Sequence, residues 1–137
     1  MSQDDDMILD TIVETKRREV AERKALRPVT DLEKTIAGRP LTRDFAKAIG
    51  GRDCAIIAEV KRRSPSRGTL RADFDSVRIA REYEHNGAAA VSVLTDATFF
   101  GGSSRDLIAV RKAIALPVLR KEFIIDPWQI QDRKSVV

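Results

Sequence analysis

Lys61 and Lys121 each lie at the end of a short apolar run with the form of a buried strand. The runs are Ala55-Ile56-Ile57-Ala58-Glu59-Val60-Lys61 and Leu116-Pro117-Val118-Leu119-Arg120-Lys121-Glu122-Phe123. Strand side chains alternate between faces, so Ile57, Glu59 and Lys61 share one face of the first run, and Leu119, Lys121 and Phe123 share one face of the second. By type, ammonium and carboxylate groups hold opposite charge or move protons. Position matters as much as type, because α/β folds place their chemistry at the C-terminal ends of parallel strands, just before a loop. Ser64-Pro65-Ser66-Arg67-Gly68 follows the first run and Ile124-Ile125-Asp126-Pro127 the second. The pattern is that of an enzyme.

The elements that must position these groups change in character near Gly50-Gly51. Before that point the chain is helical. Ile8, Leu9, Ile12, Val13 and Val20 form a narrow apolar stripe on a first helix expected from about Met7 to about Lys24, which Pro28 ends. Thr30-Asp31-Leu32-Glu33 has the form of a capping box and predicts a short second helix stopping at Gly38. Thr42 is the expected cap of a third, through Phe45 and Ile49. Residues 1–50 are therefore expected to form an N-terminal helical extension, and residues 51–137 a unit in which strand and helix alternate.

In that unit the expected strands lie near 54–61, 88–95 and 117–123. Between them, Phe74, Val77, Ala80 and Tyr83 recur at helical spacing up to a stop at Asn86-Gly87. A second helix opens near Ser103-Ser104-Arg105-Asp106 and carries Leu107, Val110 and Ile114. A third begins at Asp126-Pro127, with proline at its first position. Apolar strands separated by helical crossovers imply a parallel sheet.

Composition narrows the class of protein. At 42% hydrophobic and 34% charged over 137 residues, the chain is apolar enough for one globular core. A net charge of +4, with no long Lys/Arg block and only 5% aromatic residues, argues against nucleic-acid binding. The single Cys54 excludes an internal disulfide and fits a reducing compartment. Met1-Ser2-Gln3-Asp4-Asp5-Asp6 lacks the basic and apolar regions of a signal peptide, and no apolar stretch approaches the ~20 residues that span a membrane. The expected location is the cytoplasm, with no membrane partner.

Three motifs then resemble one family in order and spacing over about residues 7–130. Ile57-Ala58-Glu59-Val60-Lys61-Arg62-Arg63-Ser64-Pro65-Ser66-Arg67-Gly68 resembles the first strand and loop of indole-3-glycerol phosphate synthase. Ser92-Val93-Leu94-Thr95-Asp96 with Phe99-Phe100-Gly101-Gly102-Ser103 is similar to its second, and Leu119-Arg120-Lys121-Glu122-Phe123-Ile124-Ile125-Asp126-Pro127-Trp128-Gln129-Ile130 to its third. The resemblance implies an α/β fold, the first three βα units of a TIM (β/α)8 barrel behind a helical extension. It implies a lyase of tryptophan biosynthesis that closes the indole ring of a phosphorylated carboxyphenylamino-deoxyribulose, losing carbon dioxide and water without cofactor or metal. Lys121 matches the family's catalytic lysine, and Lys61 the lysine that meets the substrate carboxylate. Glu59 would keep that ammonium charged and oriented. Ser64 and Pro65 fall in the substrate-binding loop, and Phe100 and Phe123 match apolar residues lining the anthranilate side.

Each residue also has a plainer role open to it. Lys61 begins a Lys-Arg-Arg triplet of the kind that is solvated surface, Glu59 is a structural ion-pair partner by type, and Lys121 could end a solvated strand. Phe99-Phe100 fits ordinary packing. Gly101-Gly102-Ser103 could bind an anion, although the family holds its phosphate at later loops, which favours turn chemistry. His85 is expected to be a partly exposed structural residue. After about Ile130 the tail Asp132-Arg133-Lys134-Ser135-Val136-Val137 departs from the family pattern, as a shortened or frameshifted chain or an incomplete gene prediction would. The alternative function is a catalytically inactive barrel fragment that self-associates through exposed strand edges or complements another barrel half.

Overall fold

The computed structural model describes residues 3–51 and 53–136. Met1 and Ser2 of the acidic start, and Val137 of the tail, lie outside the described residues. The elements in chain order are α1 (Gln3–Leu26), α2 (Val29–Ala37), α3 (Phe45–Ile49), β1 (Ile57–Val60), β2 (Arg63–Ser64), β3 (Gly68–Thr69), α4 (Ser76–His85), β4 (Ala90–Leu94), α5 (Ser104–Ala113), β5 (Val118–Lys121) and α6 (Pro127–Val136). They form two compact units, one of residues 3–40 with Phe123–Val136, the other Leu41–Glu122.

The first unit is helical. Val20 on α1, Leu32 on α2 and Trp128 on α6 are buried together, with Ile36 packed against them. The Trp128 indole N–H donates to the Arg27 carbonyl at 3.0 Å, satisfying a group left free where α1 ends. Lys24 pairs with Asp126 at 2.9 Å. Asp126 also accepts the Trp128 amide at 2.8 Å, so it caps α6 directly ahead of Pro127. Two expected caps differ. The second helix begins at Val29, with Pro28 at the cap position and no side-chain cap bond. Thr30 falls inside that helix, because the fixed proline φ already starts it.

In the second unit Asp44, not Thr42, caps α3 by accepting the Lys47 amide at 2.8 Å. The sheet is parallel in the order β1-β4-β5, with Glu59 opposite Ser92 and Ser92 opposite Leu119. α4 packs on β1 and β4, and α5 on β4 and β5. The central strand β4 is buried along its whole length. That explains why Ala88–Val93 reads as a nearly continuous apolar run and not as an alternation.

β1 and β5 are shorter than their apolar runs. Pairing on β1 begins where the chain leaves the turn at Asn86-Gly87, and β5 ends level with Leu94, where the Thr95 amide makes a last bond to the Lys121 carbonyl at 3.0 Å. Phe74 lies ahead of α4, not on it. The other end of the sheet is closed by Arg43, whose guanidinium donates to the carbonyls of Ile114, Leu116 and Arg111 at 2.8, 2.8 and 3.1 Å. It thereby caps the C-terminus of α5.

Candidate active site

Alternation along the strands sends Ala58, Val60, Val91, Val93 and Arg120 to the face that α4 and α5 cover. Ile57, Glu59, Leu119 and Lys121 go to the opposite face. There Ile57 remains 44% exposed and Leu119 39%. On this open face, at the C-terminal strand ends, three charged side chains meet. The Glu59 carboxylate accepts from Lys61 at 2.8 Å with one oxygen and from Lys121 at 2.5 Å with the other. Partial burial pushes the Glu59 carboxyl up, but the hydrogen bonds from Lys121 and then Lys61, with their charges, outweigh it and hold it below the usual carboxylate range. The Tyr83 hydroxyl on α4 donates to the Glu59 carbonyl at 3.1 Å and fixes the strand beneath the pair.

Glu59 therefore binds both ammonium groups at once. Sequence reasoning paired it with Lys61 alone. The contact to Lys121 depends on strand register across β4, which no local pattern encodes. Such a carboxylate holds two ammonium groups side by side, an arrangement whose chemistry is proton donation or the holding of an anion.

Ser64 and Pro65 stand just beyond, in a feature the sequence showed only as a loop. Arg63-Ser64 pairs antiparallel with Gly68-Thr69, making a β2–β3 hairpin whose turn is Pro65-Ser66-Arg67. The Ser64 hydroxyl oxygen accepts the Arg67 amide at 3.2 Å, which leaves its O–H to donate elsewhere. Pro65 is exposed.

Phe100 lies in the β4–α5 loop, built around the fully buried Asp96. The Asp96 carboxylate accepts the amides of Phe99 and Phe100 at 2.7 and 3.1 Å, and its carbonyl accepts Gly102 at 2.8 Å. A Cβ on Gly102 would stand 2.1 Å from the Leu94 carbonyl oxygen, so only glycine lets the loop fold back this tightly. Gly101 and Gly102 thus serve turn geometry, and Ser103 caps α5 by accepting the Asp106 amide at 3.0 Å. Asp96 was the residue missed. Its signal was an acid just past a strand end, three and four residues ahead of the amides it holds.

Phe123 belongs to the first unit. Its carbonyl accepts Gln129 Nε2 at 2.8 Å, while Gln129 Oε1 takes the amides of Ile125 and Asp126 at 2.8 and 3.0 Å. The buried Gln129 is thus a second missed residue, ordering the segment that carries Phe123. His85, at the last position of α4, is exposed. Among the described residues no cluster of three His, Cys, Asp or Glu has metal-binding geometry.

The family model of indole-3-glycerol phosphate synthase matches residues 9–136. The chain belongs to the indole-3-glycerol phosphate synthase family. It is 45% identical over 133 residues to indole-3-glycerol phosphate synthase 2 of Ralstonia nicotianae, with 94% of this chain and 50% of the relative covered. To the indole-3-glycerol phosphate synthase of Aromatoleum aromaticum it is 44% identical, covering 94% of this chain and 51% of that one. The corresponding protein of Acinetobacter baylyi is 40% identical, with 99% and 51% covered. The chain spans about half the length of the curated relatives it matches. The fold is accordingly that of the first three βα units of the family's (β/α)8 barrel, with the open face of β1-β4-β5 corresponding to the barrel interior.

Proposed function

We propose that this chain carries the proton-donating and carboxylate-binding part of an indole-3-glycerol phosphate synthase. The reaction closes the indole ring of 1-(2-carboxyphenylamino)-1-deoxyribulose 5-phosphate. The observation that carries the reading is Glu59 held between Lys61 and Lys121 on the open face. The aromatic carbon bearing the carboxylate attacks the ketone carbon, and Lys121 gives its proton to the ketone oxygen as the new bond forms. Lys61 holds the carboxylate until the ring electrons are restored by loss of carbon dioxide. The hydroxyl formed from the ketone then takes up a proton and leaves as water, while the ring methylene beside the nitrogen gives up a proton to complete the indole. Glu59 holds both ammonium groups in place, and the substrate carboxylate competes with it for Lys61.

Ser64, Pro65, Phe100 and Phe123 are the substrate-binding residues of this reading, with the two aromatic rings suited to the flat anthranilate. The reading needs no cofactor, because the cationic ring formed on attack itself takes up the electrons released with carbon dioxide. No helix among the described residues is long and apolar enough to cross a membrane. A cytoplasmic setting goes with a biosynthetic reaction on a phosphorylated intermediate, and nucleic acid has no place in it. The test is turnover of the ring-closure substrate, read by indole fluorescence, in a complete barrel that includes this segment with Lys121 or with Lys121→Ala. Near-normal turnover by the variant would remove Lys121 from the proton-donating role.

A second reading rests on Ile57 and Leu119, whose exposure leaves apolar surface on the open face. On that reading the chain self-associates, or pairs with a complementary barrel half, through this face and the edges of β1 and β5. Sedimentation of the purified chain as a monomer at micromolar concentration would dismiss it.

A further inference from the structure

Arg63 belongs to the β2–β3 hairpin, yet its side chain reaches the loop that carries Phe100. Its Nη2 donates to the Thr98 carbonyl at 2.5 Å and to the Ala97 carbonyl at 3.4 Å. The stem lies across Gly101, where an added Cβ would meet Arg63 Nε at 3.2 Å and Cδ at 3.4 Å. Gly101 has φ of 62°, so the bend under the arginine is one that a larger residue adopts only with strain. The buried Arg63 Nε has no hydrogen-bond partner among the described residues. Burying a guanidinium N–H unpaired is costly, and an arginine free to swing into water would avoid it. The carbonyl contacts outweigh that cost. The stem of the neighbouring Arg62 also passes Gly101, with Cδ 3.2 Å from the same position, but its guanidinium stands 4.4 Å from the centre of the Phe74 ring.

We propose that Arg63 is a positioning residue that clamps the β4–α5 loop to the β2–β3 hairpin. Asp96 holds the loop from below, through the amides of Phe99 and Phe100. Arg63 holds it from the side, through the Thr98 and Ala97 carbonyls, the second of which also accepts the Gly101 amide at 3.0 Å. The clamp fixes the Phe99-Phe100 backbone relative to Ser64, the residue next to Arg63. Two groups of the substrate site therefore move as one body. The part played by Phe100 rests on the function proposed above, whereas the clamp does not.

Hydrogen exchange of the purified chain, resolved by residue, decides the matter. Arg63→Met keeps the stem over Gly101 and removes the donors. The amides of Phe99 to Gly102 should exchange about tenfold faster, the weight of one lost charge-assisted bond, while those of Val91 to Leu94 stay as they were. Arg63→Lys, which can still reach one carbonyl, should restore part of the protection. Unchanged loop exchange in Arg63→Met overturns the clamp, as does equal acceleration through β4, which would make Arg63 a residue of the fold alone. Anthranilate added to the unsubstituted chain should shift the Phe100 amide resonance. If the exchange pattern holds and anthranilate leaves that resonance in place, the clamp stands and Phe100 is removed from substrate binding.

Discussion

The two faces of β5 carry charge in opposite ways. Lys121 points to the open face, more than half exposed, and meets Glu59 where a ligand can compete for it. Arg120 and Glu122, the residues on either side, point the other way and are almost wholly buried. There Arg120 Nε donates to Thr95 Oγ1 at 3.1 Å, Thr95 Oγ1 donates to a Glu122 oxygen at 2.9 Å, and the guanidinium stands 3.9 Å from the same carboxylate. A single Arg-Lys-Glu stretch thus builds one cluster that can exchange partners and one that cannot. Exposure sets the difference. A half-solvated ion pair contributes little to stability and is free for chemistry, whereas a buried pair exacts a heavy penalty when either partner is lost.

Exchanging the roles of the two clusters would break this comparison, and the largest effect expected is on turnover. Lys121→Ala should lower kcat by roughly 10²–10⁴-fold, the usual worth of a positioned general acid, with the melting temperature nearly unchanged. The mirror image is Arg120→Met. It should destabilise the fold by about 3–5 kcal/mol in chemical denaturation by removing the buried guanidinium that stands beside the Glu122 carboxylate. A small loss there would mean that water reaches the Arg120 side.

Smaller effects sharpen the picture of the open cluster. Lys61→Ala should raise KM by roughly tenfold or more through loss of a charge-assisted contact, and should also lower turnover. Kinetic constants that hold while stability falls would make Lys61 structural. The smallest effect is on acid stability. The Glu59 carboxyl titrates below its ordinary value in the folded state, so the unfolded state binds more protons over that interval. Its contribution is present in full above the unfolded value of ~4.3 and fades as pH falls through the lowered folded value. Melts stepped from about pH 6 to about pH 3 should lose part of their acid sensitivity in Glu59→Gln. An identical slope in both proteins would show that the pair adds nothing to stability.

How much of this was legible in the sequence depended on how local each feature is. The strands declared themselves as apolar runs, and α5 and α6 by Ser103 and Asp126-Pro127, because caps and burial are written into neighbouring residues. Thr30 and Thr42 misled for the same reason, since a good cap residue stood near a helix start that Pro28 and Asp44 took instead. The Glu59 carboxylate could be paired with Lys61 by strand parity, but Lys121 reaches it only through the register of three strands. Nothing local announces that the Arg120 and Glu122 side chains are buried and meet at Thr95, since charge is usually outside. The hairpin at Arg63-Ser64 is too short for any periodicity to register.

The strand order has a consequence for how the sheet is made. β4 pairs with β1, the strand before it in this sheet, and β5 with β4, with one helix in each crossover. No pairing waits for a distant partner, so loop closure in this sheet is modest for parallel strands. A chain leaving the ribosome can add each strand to an edge already present, with α4 and then α5 folding down behind it. Val91 and Val93, buried at the middle of that edge, are where such growth would begin, and slowed refolding on truncating either would mark β4 as the nucleus.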